Sequence, residues 1–75
     1  MKWAIYHNCS RCSKIFSVKK EAQDRLRQIL EDKKTKKGIT IREGLDSFVA
    51  VESGYDEKAG EIILTTDLYE ISPVY

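Results

Sequence analysis

Apolar residues recur between positions 18 and 33 with the spacing of an amphipathic helix. On a helix with about 100° per residue they fall on one stripe about 120° wide, which is the width of a core-facing side. The residues of this stripe are Val18, Ala22, Leu26, Ile29 and Leu30. Ser17 directly precedes the segment and is a residue type preferred at helix N-caps. We therefore expect a helix over residues 18–33 that is capped by Ser17 and terminated by Gly38.

Outside this segment apolar and polar residues alternate, as is typical of half-buried β-strands. Before the helix, Trp3, Ile5 and His7 lie on one side of such an alternation. Strands are predicted over residues 3–7, 39–42, 48–51, 62–66 and 68–71. The glycine-containing segments between the later strands are short enough for antiparallel hairpins. The sequence thus predicts an α+β fold, with one amphipathic helix packed on a small antiparallel sheet in the order β-α-β-β-β. We expect Pro73 at a sheet edge or at the end of the last strand.

Length and composition indicate an ordinary folded chain. Its 75 residues suffice for one hydrophobic core, so we expect a single domain over residues 1–75. No apolar run approaches the roughly 20 residues of a membrane span, nor the apolar core of a signal peptide. We therefore expect a cytoplasmic protein without membrane contact, in which cysteines are normally reduced.

Charge is unevenly distributed although the net charge is only +1. Residues 1–42 contain twelve Lys and Arg against four Asp and Glu, whereas residues 43–75 contain one Lys against eight acidic residues. The basic residues form two clusters, with Arg11, Lys14, Lys19 and Lys20 around the start of the predicted helix and Lys33, Lys34, Lys36 and Lys37 at its end. Cations in a first helical turn are unusual, because the helix dipole disfavours them there. Both clusters are candidate sites for an anion, a nucleic-acid backbone or an acidic partner; the simpler interpretation is a solvated surface.

The motif Cys9-Ser10-Arg11-Cys12 has intrinsic chemistry. Together with the preceding Trp3-Ala4-Ile5-Tyr6 it resembles the start of the thioredoxin and glutaredoxin family over about 12 residues, which implies a redox-active pair at a helix N-terminus. That family carries a proline before a later strand. Here the only proline is Pro73, and the predicted helix starts five residues after Cys12.

The same cysteines also resemble the first half of a Cys-Cys-His-His zinc finger, with Phe16 at the aromatic position. This resemblance implies a metal site in which His7, Cys9 and Cys12 supply three of the four ligands that zinc prefers. Arg25 and Ile29 occupy the positions of the family's two histidines. A dimer could pool cysteines from two chains. The remaining interpretation is a pair of reduced thiols in a turn, with no metal.

The sequence offers little for an enzyme, since it has one histidine, no nucleophile beside a plausible base and no glycine-rich phosphate loop. One helix can cover only one sheet face. The other face would carry some of Tyr6, Val49, Val51, Ile63, Tyr69 and Ile71, covered by a partner or a second copy, or solvated among polar residues. We expect a non-enzymatic binding or regulatory module without a cofactor that acts through protein–protein interaction, as phage-encoded inhibitors do, and homodimerises in one version of this hypothesis. The alternatives are a nucleic-acid-associated accessory protein that uses the basic clusters, and a redox or zinc-site protein that uses Cys9 and Cys12.

Overall fold

The computed structural model describes residues 1–75 and contains one helix and five strands. The elements are β1 (Lys2–His7), β2 (Ser10–Arg11), α1 (Lys19–Lys34), β3 (Ile39–Glu43), β4 (Ser47–Asp56) and β5 (Glu61–Val74). The strands form one antiparallel sheet in the order β2-β1-β5-β4-β3. This confirms the predicted α+β class. The strands after the helix form the expected meander, while β1 pairs with the end of β5 and β2 adds a short edge.

The helix packs on one face of the sheet through the predicted stripe. Ala22, Leu26 and Leu30 are buried, and they pack in one core with Ile5, Phe16, Phe48 and Ala50. Because β-strand side chains alternate between faces, residues of odd number in β1 and β5 and of even number in β4 face the helix. The helix is neither long nor apolar enough to span a membrane.

Both helix ends differ from the prediction. The N-cap is Val18, with an extended backbone at φ −121° and ψ 131°, and no side chain caps the helix. Ser17 was the wrong cap: two backbone hydrogen bonds of 2.7 and 2.9 Å hold Phe16 to Trp3, the chain bends at Ser17 and Val18, and the helix begins one residue later than predicted. At the other end the helix stops at Lys34, and the Thr35 hydroxyl donates to the Asp32 carbonyl over 2.7 Å.

The last strand is one continuous element of 14 residues, where the pattern predicted two strands. Asp67, the polar residue between the two predicted strands, lies opposite Ala50 and accepts a hydrogen bond from His7, so it does not interrupt the strand. Pro73 lies opposite Trp3, beyond the last β4–β5 pair at Glu70. At this point β5 has a neighbour on one side only, which is the edge position expected of a proline that lacks a backbone N–H.

Strands β4 and β5 extend well past the rest of the sheet. Pairing with β3 ends at Glu52, and pairing with β1 ends at Tyr69. Apart from one long hydrogen bond of 3.5 Å from the Ser53 N–H to the Gly38 carbonyl, residues 53–66 therefore form a two-stranded hairpin with no neighbouring strand on either side, which we call the arm. The arm makes the molecule elongated, at 48 × 22 × 17 Å, with a radius of gyration of 14.3 Å. A compact chain of this length would have a radius of gyration of about 11 Å.

The tip of the arm is a turn built by two residues. The Asp56 carboxylate accepts hydrogen bonds from the backbone N–H groups of Lys58 and Ala59 at 3.0 and 3.3 Å. Gly60 has φ +68°, a left-handed conformation that glycine adopts without strain, and its N–H donates to the Asp56 carbonyl over 2.7 Å. The arm therefore has a defined end.

Removing one residue of the helical stripe should destabilise the whole fold. We expect Leu26→Ala to lower the free energy of unfolding by about 2–4 kcal/mol, because a buried leucine is replaced by a cavity. Urea unfolding followed by helical circular dichroism measures this change. Arg27→Ala, on the exposed side of the same helix, is the control and should change stability by less than about 0.5 kcal/mol. Equal effects of the two substitutions would contradict the packing described.

Candidate interaction surface

His7 and Asp67 mark the point at which the arm leaves the sheet. His7 Nε2 lies 2.7 Å from Asp67 Oδ1, and its ring stacks on Tyr69 with centroids 4.5 Å apart. His7 lies in a strand, as the alternation predicted, and is partly buried. Burial, the Asp67 carboxylate and Cys12 raise the pKa of the Tyr69 hydroxyl, so this phenol stays neutral. These contacts tie β1 to β5 at the base of the arm.

Asn8 completes the same boundary. Its backbone N–H donates to the Leu68 carbonyl over 2.8 Å, and its side-chain oxygen accepts from the Leu68 N–H over 2.9 Å. Asn8 thus takes the place of one more strand residue beside β5. It has φ +49° and the following Cys9 has φ +72°. Positive φ at both positions of a two-residue loop is the signature of a type I′ hairpin, which here joins β1 to β2.

The two cysteines lie in and just after this hairpin. Both thiols are free and exposed, and Cys12 Sγ lies 3.5 Å from the Ile5 carbonyl. The helix begins only at Lys19, so neither cysteine occupies its first turn. No group of three His, Cys, Asp or Glu side chains is arranged to hold a metal ion, and the His7 ring nitrogen is already paired with Asp67. The structure therefore does not gather His7, Cys9 and Cys12 into one site.

Lys19 owes its unusual place in the first helical turn to Asp46. Its ammonium lies 2.8 Å from the Asp46 carboxylate and 5.0 Å above the Trp3 ring. Gln23, one turn further along the helix, donates to the same carboxylate over 2.9 Å. Hydrogen bonds from Lys19 and Gln23 lower the pKa of Asp46 below its ordinary value of 3.8. Sequence reasoning missed this contact, because the β3–β4 loop that carries Asp46 is distant along the chain.

The other predicted basic residues lie around the helix in two groups. Lys14 is 5.5 Å from the Phe16 ring centre near the helix start, and Lys33 is 5.9 Å from that of Tyr69 near its end. Lys34 makes long ion pairs of 3.8 Å with Glu31 and 3.7 Å with Glu43. Exposed and with neither an ion pair nor an aromatic ring nearby are Arg11, Lys20, Lys36 and Lys37. The helix, about 24 Å long, separates the two groups, and anion binding by either stays a prediction.

Lys20 lines a groove between the helix and the β3–β4 loop. The groove has a volume of about 380 Å³, and Arg27 and Glu43 also line it. Leu45, at its rim, is almost fully exposed. The walls are largely charged or polar, which differs from the mostly apolar lining of small-molecule sites.

The arm carries the largest exposed apolar side chains of the strands. Tyr55, Ile62 and Leu64 lie on the face away from the helix and are 66%, 73% and 66% exposed; Ile63, on the helix side, is 49% exposed. Tyr55 and Ile62 are directly opposite each other, and Leu64 follows on the same face. The three residues that share one face, Tyr55, Ile62 and Leu64, expose on the order of 400 Å², comparable to the largest apolar patches of ordinary monomers. Single exposed apolar residues are common, whereas a cluster of this kind is a candidate contact surface.

The sequence contained a signal for this surface that the strand assignment did not use. Ile62, Ile63 and Leu64 are three consecutive large apolar residues, which a strand half-buried by one helix does not need. A run of this kind requires cover on both faces, and a helix about 24 Å long cannot reach along a strand of about 45 Å. The apolar run at residues 62–64 therefore predicts exposed apolar surface at one end of the sheet.

The stability contributed by Asp46 should depend on pH. Because the folded-state pKa of this carboxyl is depressed, the contribution is complete above its ordinary pKa of 3.8 and is lost as the pH falls through the lower folded value. Thermal unfolding should show Asp46→Asn melting below the parent chain at pH 6, with the difference shrinking steadily as the pH falls below 3.8. Asp24→Asn, at an exposed helical position without an ion pair, is the control and should show no such convergence. A difference that is constant with pH would contradict the ion pair.

The hairpin between β1 and β2 contains a strained residue that glycine should relieve. A left-handed backbone costs an ordinary residue about 1–2 kcal/mol, and the greater chain entropy of glycine offsets about half of that gain. We expect Cys9→Gly to raise the free energy of unfolding by up to about 1 kcal/mol, as measured by urea denaturation under reducing conditions. Cys12→Ala, where φ is not positive, is the matched control and should give no increase. A less stable Cys9→Gly chain would be evidence against the type I′ hairpin.

Comparison with known proteins identified no relative of the chain. No family model, no curated protein and no solved structure matches the chain.

Proposed function

We propose that the chain is a non-enzymatic cytoplasmic binding module, which regulates or inhibits another protein by occupying its surface through the arm and the uncovered sheet face. The observation that carries this proposal is the arm itself. It projects two strands beyond the core and exposes Tyr55, Ile62 and Leu64 side by side. Exposing these residues gains nothing for the isolated fold, whereas burying them against a partner removes apolar surface from water.

The chemistry of the arm indicates what kind of surface it fits. Tyrosine is enriched at the centres of protein interfaces, where its ring is buried and its hydroxyl finds a partner. Both edges of the arm have unused backbone groups, so a partner strand could also add to it by β-augmentation. The tip carries Asp56, Glu57 and Glu61 against Lys58. We therefore expect the partner to present an apolar patch bordered by basic side chains.

One observation favours a second candidate function. Four basic side chains, Arg11, Lys20, Lys36 and Lys37, have no acidic partner and face solvent. They are available to phosphate groups, as in a nucleic-acid accessory protein. Such binding would weaken steeply with salt, because each neutralised phosphate releases counterions. Apolar contact by the arm would be much less sensitive to salt.

The two functions are separated by capture from an extract of the organism that encodes the chain. The double variant Ile62→Thr, Leu64→Thr removes apolar surface from the arm while keeping residues that favour strands. We expect it to retain a specific protein at least tenfold less than the parent chain does. The matched control, Lys36→Gln and Lys37→Gln, should retain the protein fully.

Two checks make the result interpretable. Circular dichroism and thermal unfolding should show the same helix and a similar melting temperature for both double variants, because the arm lies outside the core. Full retention of a protein by the arm variant would contradict the proposal. If instead binding is lost only in the lysine variant, and salt releases the material bound by the parent chain, the result would contradict the proposal and favour nucleic-acid binding.

A further inference from the structure

The β5 edge of the arm presents backbone groups that nothing in the chain uses. On the side facing β1, pairing of β5 stops at Leu68 on the way towards the arm. The N–H and C=O of Leu68 are both bonded to Asn8. Backbone groups alternate in direction along an antiparallel strand, so those of Thr66, Leu64 and Ile62 point to the same side. Pairing with β1 begins only at Tyr69. Three consecutive sets of donors and acceptors are therefore free along this edge.

The β5 edge differs from the other edges of the sheet in having no protection. Proteins block exposed edges with prolines, charged side chains, bulges or very short strands. The outer strand β2 has only two residues and carries Arg11, and β3 carries Arg42 and Glu43. The free part of β4 is short and contains Gly54. In contrast, residues 62–66 read Ile-Ile-Leu-Thr-Thr. Every residue in this segment is β-branched or aliphatic, and none is charged or proline.

We infer that this edge pairs with the same edge of a second copy of the chain, antiparallel and about a two-fold axis at Ile63. A strand of this composition can pair with itself, because an antiparallel two-fold brings the same uncharged segment against itself. Ile62 then lies opposite Leu64 of the partner subunit. Both residues direct their backbone groups outwards, so each pair exchanges two hydrogen bonds, four in total.

Charge and backbone use exclude the neighbouring registers. An axis at Leu64 would place Glu61 opposite Asp67 of the partner subunit, twice by symmetry, and like charges directly opposite are destabilising. An axis at Thr65 would require the backbone of Leu68, which Asn8 already occupies. With the axis at Ile63, Glu61 faces Thr65 of the partner subunit and no like charges are opposed. An axis at Ile62 would place Leu64 opposite Gly60 of the partner subunit, which lies in the turn before β5, and only one hydrogen-bonded pair would remain within the strand. The axis at Ile63 satisfies both constraints and keeps both pairs within β5.

The pairing would join two five-stranded sheets into one of ten strands. A two-fold axis perpendicular to the sheet keeps both helices on one side and both uncovered faces on the other. The apolar patches around Ile62 and Leu64 then become adjacent, which doubles the surface assigned above to a protein partner. The self-pairing itself does not depend on that proposed function. It involves about five residues from each chain, against roughly 20–30 in a standard interface, so we expect a concentration-dependent dimer.

Sedimentation equilibrium between about 10 µM and about 1 mM tests the pairing. The mass should rise from 8.7 kDa towards twice that value with concentration. Ile63→Lys should remain monomeric throughout, because two ammonium groups would face each other at the axis. Tyr55→Lys is the matched control: it makes the same kind of change in the arm, on the other strand and the other face, and should still dimerise.

Amide hydrogen exchange locates the contact. In the parent chain, exchange at Ile62 and Leu64 should slow at least tenfold between low and high concentration, while Ile63, whose N–H points to β4, stays unchanged. The Ile63→Lys chain should show no such change and should keep the helical signal of the parent.

Two results would overturn the inference: a mass of 8.7 kDa at every concentration, or a dimer that survives Ile63→Lys. If such a surviving dimer is lost in Tyr55→Lys, the contact is a stacking of the apolar faces. A strictly monomeric chain that still captures a protein through Ile62 and Leu64 would refute self-pairing and leave the proposed function intact.

Discussion

The structure depends on a mismatch of length between its one helix and its longest strand. The 16 residues of α1 extend over about 24 Å, whereas the 14 residues of β5 extend over about 45 Å. Apolar burial holds the part of the sheet under the helix, where Ile5, Phe48 and Ala50 are almost fully enclosed. Beyond the helix only the β4–β5 ladder continues. The molecule is therefore divided into a core, whose apolar burial stabilises the fold, and an arm, which is held only by the β4–β5 ladder.

The boundary between these two parts is made by polar contacts. His7 pairs with Asp67, and Asn8 uses both its backbone and its side chain on Leu68. Such contacts hold direction and register without adding much apolar burial. Local opening is easiest where few buried contacts oppose it, so the arm is the segment expected to open first. A binding surface placed there can adjust to a partner without disturbing the core.

The parts of the fold that local periodicity encodes could be predicted from the sequence. Ala22, Leu26 and Leu30 lie where the 3.6-residue period placed them, and the strands follow the period of two. Contacts between distant segments could not be predicted in this way. Ser17 was displaced as the cap by the pairing of Phe16 with Trp3, and Lys19 is explained only by Asp46. The arm was missed because the apolar run at residues 62–64 identifies a strand, whereas what covers its two faces depends on how far the helix reaches along the sheet.

The position of β1 also bears on how the chain folds during its synthesis. Hairpins such as β3–β4–β5 join residues that are close in sequence and can form early. In contrast, β1 pairs Lys2 with Val74, so its place in the sheet stays empty until residues 69–74 have left the ribosome. Until then β1 has no long strand beside it, and the core under the helix lacks Tyr69 and Ile71, which pack against it. During synthesis β1 therefore stays without its main partner strand, and open to chaperones, until β5 has been made.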